Sequence, residues 1–295
     1  MSETAGPTAL LGYDGSLPAG AAIEVAARLF PAARARIVYV WTPPFASEAL
    51  RRRLWRGTAG VDEFVAAVEH EGESEARRLA TMGVALAAPY GWRAEPAIRR
   101  TYGGEGLQLC EIAEEFGAEV IVVGSRGLTG ARAVLGSVSD MVVHGAACPV
   151  LVVPHPLLEA QRAVLDTGPV LLGWDGSAGA EAARQGVAHL LPGRSVVPVY
   201  AEDGDGPPDG EVADLVRVRP AGGHLEHGRA VAAALAGQAG EAHAAVVAVG
   251  SRGRSAVREI VLGSVAMATL HHTYRPVLVV PRHGPEGPGS RDVRP

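Results

Sequence analysis

The chain says almost everything twice. Residues 9–31, ALLGYDGSLPAGAAIEVAARLFP, return as 170–192, VLLGWDGSAGAEAARQGVAHLLP. Residues 120–140, VIVVGSRGLTGARAVLGSVSD, return as 246–267, VVAVGSRGRSAVREIVLGSVAM, and CPVLVVPH at 148–155 returns as RPVLVVPR at 275–282. The matches keep their order, which marks a duplicated unit. A length of 295 residues leaves room for two hydrophobic cores. The expected division is a first domain at 1–154, a linker at 155–168, a second domain at 169–282, and a flexible tail at 283–295.

Within each unit, short apolar runs alternate with segments of helical period. Strands are expected at 8–13, 36–41, 94–100, 119–123 and 150–153, with helices at 18–30, 61–88, 105–116 and 137–144. The second unit repeats the strands at 170–174, 195–200, 215–219, 245–249 and 277–280. Nearly continuous apolar strands separated by helices predict parallel sheets covered on both faces. The fold class is α/β: two tandem doubly wound domains, each with a five-stranded parallel sheet, in strand order 3-2-1-4-5. The second unit lacks the segment that holds the long helix 61–88, and AEDGDGPPDGE stands there instead. Its sheet is therefore expected to need other cover on one face. The apolar runs that end both units are candidates to pair with each other, or across chains, and so protect their sheet edges.

Composition narrows the chemistry. A net charge of -5 gives no basic surface for nucleic acid. The chain has no lysine, which excludes a P-loop of the GxxxxGK[ST] type and Schiff-base chemistry on lysine. Any phosphate must be held by backbone amides, hydroxyls, arginine or a metal. Two cysteines cannot form a disulfide framework, so a reduced, cytoplasmic setting is expected. The first residues do not read as a signal peptide, and no apolar run is long enough to suggest a membrane span.

The repeated loops sit where open parallel sheets bind ligands, beyond the carboxyl ends of strands. In each, an apolar strand runs into GSRG, and a Gly-Ser pair then opens a helix. Glycines let backbone approach a ligand closely, and successive amides can converge on an anion. A helix start adds free N–H groups and the positive end of a dipole. Asp14 and Asp175, in GYDGS and GWDGS, point to the same crevices, where a carboxylate could accept hydrogen bonds from ribose or adenine. An Asx-turn or helix cap is an equal reading of both.

These motifs resemble the universal stress protein family, over about residues 8–154 and 169–282. Its ATP-binding members carry glycine, two residues, glycine, nine residues, then Gly-Ser or Gly-Thr. The second unit has this spacing in Gly250, Gly253 and Gly263-Ser264; the first has Gly124, Gly127 and Gly136-Ser137, one residue short. The resemblance implies adenine and ribose contacts at Gly12, Asp14, Val40 and Val123, and at Gly173, Asp175, Val199 and Val249. It implies phosphate contacts at Gly124, Arg126, Gly127, Gly136, Ser137 and Val138, and at Gly250, Arg252, Gly253, Gly263, Ser264 and Val265.

Other features read as ordinary structure. His224 with His227, and His271 with His272, lack the companions of a metal site; the second pair suits a helix end. Arg51–Arg53 beside Trp55 reads as a solvated face, and EHEGESEARR as a helix surface of mixed charge. Ser16 and Ser177 read as helix caps, and no catalytic constellation stands out. The expected function is ATP binding, with magnesium as an accompanying ion, and a regulatory role in stress response with slow ATPase activity at most. An unknown protein partner is expected, with no nucleic acid and no membrane, and a pseudo-dimer within the chain that could form a homodimer. The rivals are a nucleotide-independent interaction scaffold and an ATP-pyrophosphatase-type adenylating enzyme, whose SGGxDS loop the chain lacks.

Overall fold

The computed structural model describes residues 6–43, 60–125, 135–202, 212–221, 227–253 and 262–282. The first half runs β1 (Thr8–Gly12), α1 (Leu17–Leu29), β2 (Arg34–Trp41), α2 (Val61–Ala87), a 3-10 turn (Ala88–Tyr90), β3 (Arg93–Arg100), α3 (Glu105–Phe116), β4 (Val120–Gly124), α4 (Ser137–Gly145) and β5 (Val150–Val153). A short helix α5 (Glu159–Ala163) lies in the expected linker. The second half continues with β6 (Val170–Gly173), α6 (Ala178–Leu190), β7 (Val196–Ala201), β8 (Val216–Val218), α7 (His227–Glu241), β9 (Val246–Gly250), α8 (Ser264–His272) and β10 (Val277–Val280).

All ten strands form one sheet, in the order β3-β2-β1-β4-β5-β10-β9-β6-β7-β8. Each half therefore has the order 3-2-1-4-5, with every pairing inside it parallel. The halves meet where β5 and β10 pair antiparallel, with Leu151 opposite Leu278 and both fully buried. The two apolar runs expected at sheet edges thus protect each other. One hydrophobic layer lies on each face of the sheet, and each contains residues of both halves. Polar side-chain pairs cross the same junction. Arg28 on α1 makes two hydrogen bonds to Asp166, at 2.9 and 2.6 Å, Arg162 on α5 reaches Glu24 at 2.5 Å, and His189 on α6 meets Glu119 at 2.6 Å.

Local chemistry sets the helix starts. The Ser16 hydroxyl accepts from the Ala19 N–H at 3.3 Å, and Ser177 does the same for Ala180 at 3.1 Å, so both serines cap as expected. Gly15 and Gly176 precede them at φ of 82° and 74°, a left-handed conformation that a side chain would strain. The segment read as a mixed-charge surface lies on α2, where Arg77 pairs with Glu73 and Arg78 with Glu75.

The long helix α2 packs through a narrow stripe of small residues, Ala76, Ala80, Gly83 and Ala87. A Cβ at Gly83 would lie 2.7 Å from Ile37 and 3.0 Å from the Tyr13 ring, so the helix rests on both. No described helix takes this place in the second half, and the expectation that its sheet needs other cover meets a different answer. Where α1 has Gly20, under Leu86 of α2, and the fully buried Ile23, α6 has Glu181 and Arg184. These form a bidentate pair at 2.8 and 2.6 Å, and Gln185 also donates to Glu181. The Arg184 and Gln185 donors hold the Glu181 carboxyl down at about 2. The face that loses its helix has become polar and faces water on its own terms.

Candidate functional site

The switch points of the sheet lie between β1 and β4 and between β6 and β9, where strand order reverses. Residues from the ends of these strands and from the starts of α4 and α8 gather there. Gly12 ends β1 and Val123 is next to last in its neighbour β4, and Gly173 and Val249 stand likewise in β6 and β9; a Cβ at Gly173 would lie 3.2 Å from Val249. Asp14 and Asp175 follow at once. Each accepts, through Oδ1, a 2.9 Å hydrogen bond from the N–H two residues on, Ser16 or Ser177. The Asx-turn is therefore present in both copies.

The two implied valines of the second strands do not occupy equivalent places. Gly12 pairs with Val38, whereas Gly173 pairs with Val199. The N–H groups of Tyr13 and Trp174 donate at 2.9 Å to Val38 and Val199 respectively. Val199 thus matches Val38, and Val40 matches Ala201, two residues further along the same face. The shared Val-Tyr pair, Val38-Tyr39 and Val199-Tyr200, carried this register in the sequence.

The glycine turns separate by role. A Cβ at Gly124 would lie 2.7 Å from the Pro18 backbone, and one at Gly250 2.4 Å from the Gly179 backbone. Gly179 is itself confined, since its Cβ would sit 1.8 Å from the Arg252 carbonyl oxygen. The first glycine of each turn therefore admits the first turn of α1 or α6. Arg126 and Gly127 lie outside the described residues, as does the rest of the loop to position 134.

In the second half the turn closes onto a helix start. The Gly263 N–H donates to the Ser251 carbonyl at 2.8 Å, and Gly263 is the N-cap of α8. A Cβ at Gly263 would meet Ser251 O at 3.4 Å, Arg252 Cα at 3.5 Å and Gly253 N at 3.8 Å. The first hydrogen bond of α8 runs from Met267 N–H to Gly263, so the amides of Ser264, Val265 and Ala266 have no partner within the helix. Ser264 is exposed and Arg252 is half-buried beside it in the turn. The first half builds the corner differently. Gly136 caps α4, Ser137 is exposed at its start, Val138 is half-buried, and the Ser139 hydroxyl donates to the Gly124 carbonyl at 2.8 Å. The second half has Ala266 at that place. Sequence reasoning missed Ser139, though its position two residues after Ser137 was visible.

The family model that matches is that of the Universal stress protein family, over residues 7–154 and 216–281. The chain belongs to this family. The match skips β6, α6 and β7, the part of the second unit beside the lost helix, yet those strands hold the same places as their first-half counterparts. A universal stress protein of Mycobacterium tuberculosis is 32% identical over 207 residues, 58% of this chain and 64% of that relative, so under two thirds of the relative's length is covered. A solved universal stress protein from Archaeoglobus fulgidus shares the fold with a TM-score of 0.60 at 19% identity, over 93% of this chain and 98% of that one. Another solved member, in complex with cAMP, aligns over 51% of this chain and 98% of its own at 22% identity, with a TM-score of 0.37.

Elsewhere the described residues of this universal stress protein offer little chemistry. They contain no group of three His, Cys, Asp or Glu side chains that could hold a metal, and no helix long and apolar enough to cross a membrane. His272 ends α8, where a histidine pair was expected to finish a helix; His224 and Arg51–Arg53 lie outside the described residues.

Proposed function

We propose that this universal stress protein binds an adenine nucleotide, ATP, beyond the carboxyl ends of its strands, and that occupancy regulates a protein partner in a stress response. The supporting observation is Gly263. Its φ of -62° suits any residue, and its nearest would-be Cβ contact among the described residues is 3.4 Å. The fold does not demand glycine there, but a phosphate drawn to the amides of Ser264, Val265 and Ala266 would need that space. Such a cradle suits a chain without lysine, because it holds phosphate by backbone amides, with Arg252 at hand. The second crevice would use Gly173, Asp175, Val199 and Val249 toward the nucleoside, and Gly250–Gly253 with Gly263–Val265 toward the phosphates. The first would use Gly12, Asp14, Val123, Gly136, Ser137 and Val138, with Val38 or Val40 on β2.

Magnesium would arrive with the nucleotide's own phosphates. Positioning by amides goes with slow hydrolysis at most. A cytoplasmic setting and a homodimer of the chain belong to the same proposal, and light scattering tests the dimer. Native mass spectrometry of the purified protein tests the nucleotide: a bound adenine nucleotide, and a thermal shift with ATP, are expected. No bound nucleotide and no shift would favour a scaffold instead. That second reading draws on Gly124 and Gly250, whose glycines the packing of α1 and α6 explains without any ligand.

A further inference from the structure

At the outer end of the first half, β2 and β3 finish side by side, with Trp41 opposite Arg100 and the Thr101 N–H donating to the Trp41 carbonyl at 2.8 Å. Side chains alternate along these strands between the two faces of the sheet. Val40 and Ala97 pack into the layer beneath α3, and Arg99 bonds on that side to Glu115 at 3.2 and 2.5 Å. Trp41, Ile98 and Arg100 face the other way, toward α2, where Arg100 donates to Glu69 at 2.6 Å. Between the strand ends and the helix lies a pocket of about 280 Å³, lined by Trp41, Glu69, Glu73, Arg77, Ile98 and Arg100. Trp41 is buried and Ile98 half-buried, which gives the pocket an apolar floor. Glu69, Glu73 and Arg77 follow at one-turn intervals along α2 and so share one line of it. Glu73 pairs with Arg77, as Glu69 pairs with Arg100. Gly12, which the nucleotide reading uses, faces Leu109 of α3, so the pocket lies across the sheet from that crevice.

We propose that this pocket is a second ligand site, separate from the nucleotide crevice, and that it takes an α-amino acid with an apolar side chain. The proposal does not depend on the nucleotide reading. Two carboxylates and two guanidiniums line the pocket, so their charges cancel. A polyphosphate would meet both carboxylates and a simple cation both guanidiniums, whereas a zwitterion finds a partner for each of its charges. An ammonium fits between Glu69 and Glu73, whose Cβ atoms stand about 5–6 Å apart at this spacing. A carboxylate takes the planar fork of Arg77 or Arg100. Exchanging the resident pairs for these contacts costs little, since both arginines are exposed and surface ion pairs contribute little. The apolar side chain then lies against Trp41 and Ile98. The volume falls just under the usual range of small-molecule sites, about 300–1,000 Å³, and suits an amino acid rather than a nucleotide.

The test is calorimetry on the full chain with L-leucine, L-methionine and L-phenylalanine, each beside the amine and the carboxylic acid that carry the same side chain. At least one amino acid is expected to bind, and its amine and acid about ten-fold more weakly, because each lacks one charge-assisted contact. Glu69→Gln and Arg100→Gln should weaken the amino acid by a similar factor. Glu75→Gln, on the same helix but paired with Arg78 outside the pocket, should leave it unchanged. Thermal melts without ligand check that all three variants fold. No binding of any of the three amino acids would overturn the proposal, as would an amine or acid that binds as tightly as its amino acid. Unchanged affinity in folded Glu69→Gln and Arg100→Gln would overturn it too. Displacement of the amino acid by ATP would place it in the nucleotide crevice and overturn the separate site alone. A chain that binds the amino acid but no adenine nucleotide would bring down the nucleotide reading and leave this pocket standing.

Discussion

Substituting the glycines of the second turn one at a time should separate the fold from the site. In Gly250→Ala the new Cβ would lie 2.4 Å from both the C and O atoms of Gly179 and 2.9 Å from its Cα. These are backbone atoms at the start of α6, so no side chain can rotate away. Nor can α6 slide along the turn, since Gly179 already abuts the Arg252 carbonyl. Relief needs a backbone shift of about 1 Å, at the upper end of the overpacking range, so a cost of about 2–3 kcal/mol follows. For a protein of this size that lowers Tm by roughly 3–5 °C. Gly263→Ala, with ordinary contacts and a permissive φ, should cost less than about 1 kcal/mol, chiefly the loss of a favourable N-cap residue. Circular dichroism melts without nucleotide measure both costs, and ATP titration then reads the cradle. The expected pattern is crossed: Gly250→Ala is unstable, and Gly263→Ala is stable but loses nucleotide affinity. A Gly250→Ala protein that melts with the wild type would refute the packing argument, whatever it binds.

Two further outcomes follow from the junction and the core. Hydrogen bonds from Arg28 outweigh burial and hold Asp166 below its ordinary 3.8; burial pushes Glu119 up, but the Thr8 N–H and His189 outweigh it and hold it below 4.5. Depressed carboxylates stabilise the folded state above their unfolded values, and that contribution fades as pH falls through the folded ones. Stability in urea should thus be flat near neutrality and decline below about pH 4.5, with the Glu119→Gln, Asp166→Asn double variant weaker than the wild type at pH 7 and the gap narrowing as the medium is made more acidic than that. A constant difference across that range would show that the pairs contribute no charge-dependent stability. The thiols are a separate matter. Burial, aided by Glu114 and Glu111, pushes Cys110 up to about 11, and burial, aided by Cys110, pushes Cys148 up to about 12. A disulfide reagent at pH 8 should label neither in the folded protein and both after denaturation; fast labelling of the native chain would show that the core opens there.

The order of the sheet was legible because the apolar runs repeat in a fixed order and parallel strands buried on both faces are nearly continuous in hydrophobicity. Val150–Val153 and Val277–Val280 were placed to the residue, and the pairing of these two runs followed from the need to protect an edge. Register across β2 was less legible. No glycine punctuates that strand, and moving two residues along it keeps a valine on the same face, so Val40 and Val199 were read as counterparts although Val38 is the residue that matches Val199. That the first glycine of each turn also admits a helix start was not legible, because sequence cannot show that backbone comes within 2.4–2.7 Å of the point a Cβ there would occupy. The approach of the Asp175 carboxylate to Gly253, with Oδ2 2.8 Å from the point a Cβ there would occupy, was beyond reach for the same reason.

The deletion of the long helix was visible as missing sequence, but its consequence lies in three substitutions between the repeats. Gly20 becomes Glu181 and Ile23 becomes Arg184, which turns a buried helix face into a salt-bridged one. Tyr13, pressed beneath α2, becomes Trp174, a larger ring that packs at the margin of the same apolar layer while its buried indole N–H finds no partner among the described residues. The first two changes remove any need for a covering helix; the third keeps the strand end sealed after its loss. Cover is lost on one face only. The crevice opens on the opposite face, under α7 and α8, where Leu235 and Val249 still line Gly173 as Leu109 and Val123 line Gly12. The second half can therefore shed a helix and remain a folded partner of the first across β5 and β10, because the layer that supports its glycine turn is the one that was left intact.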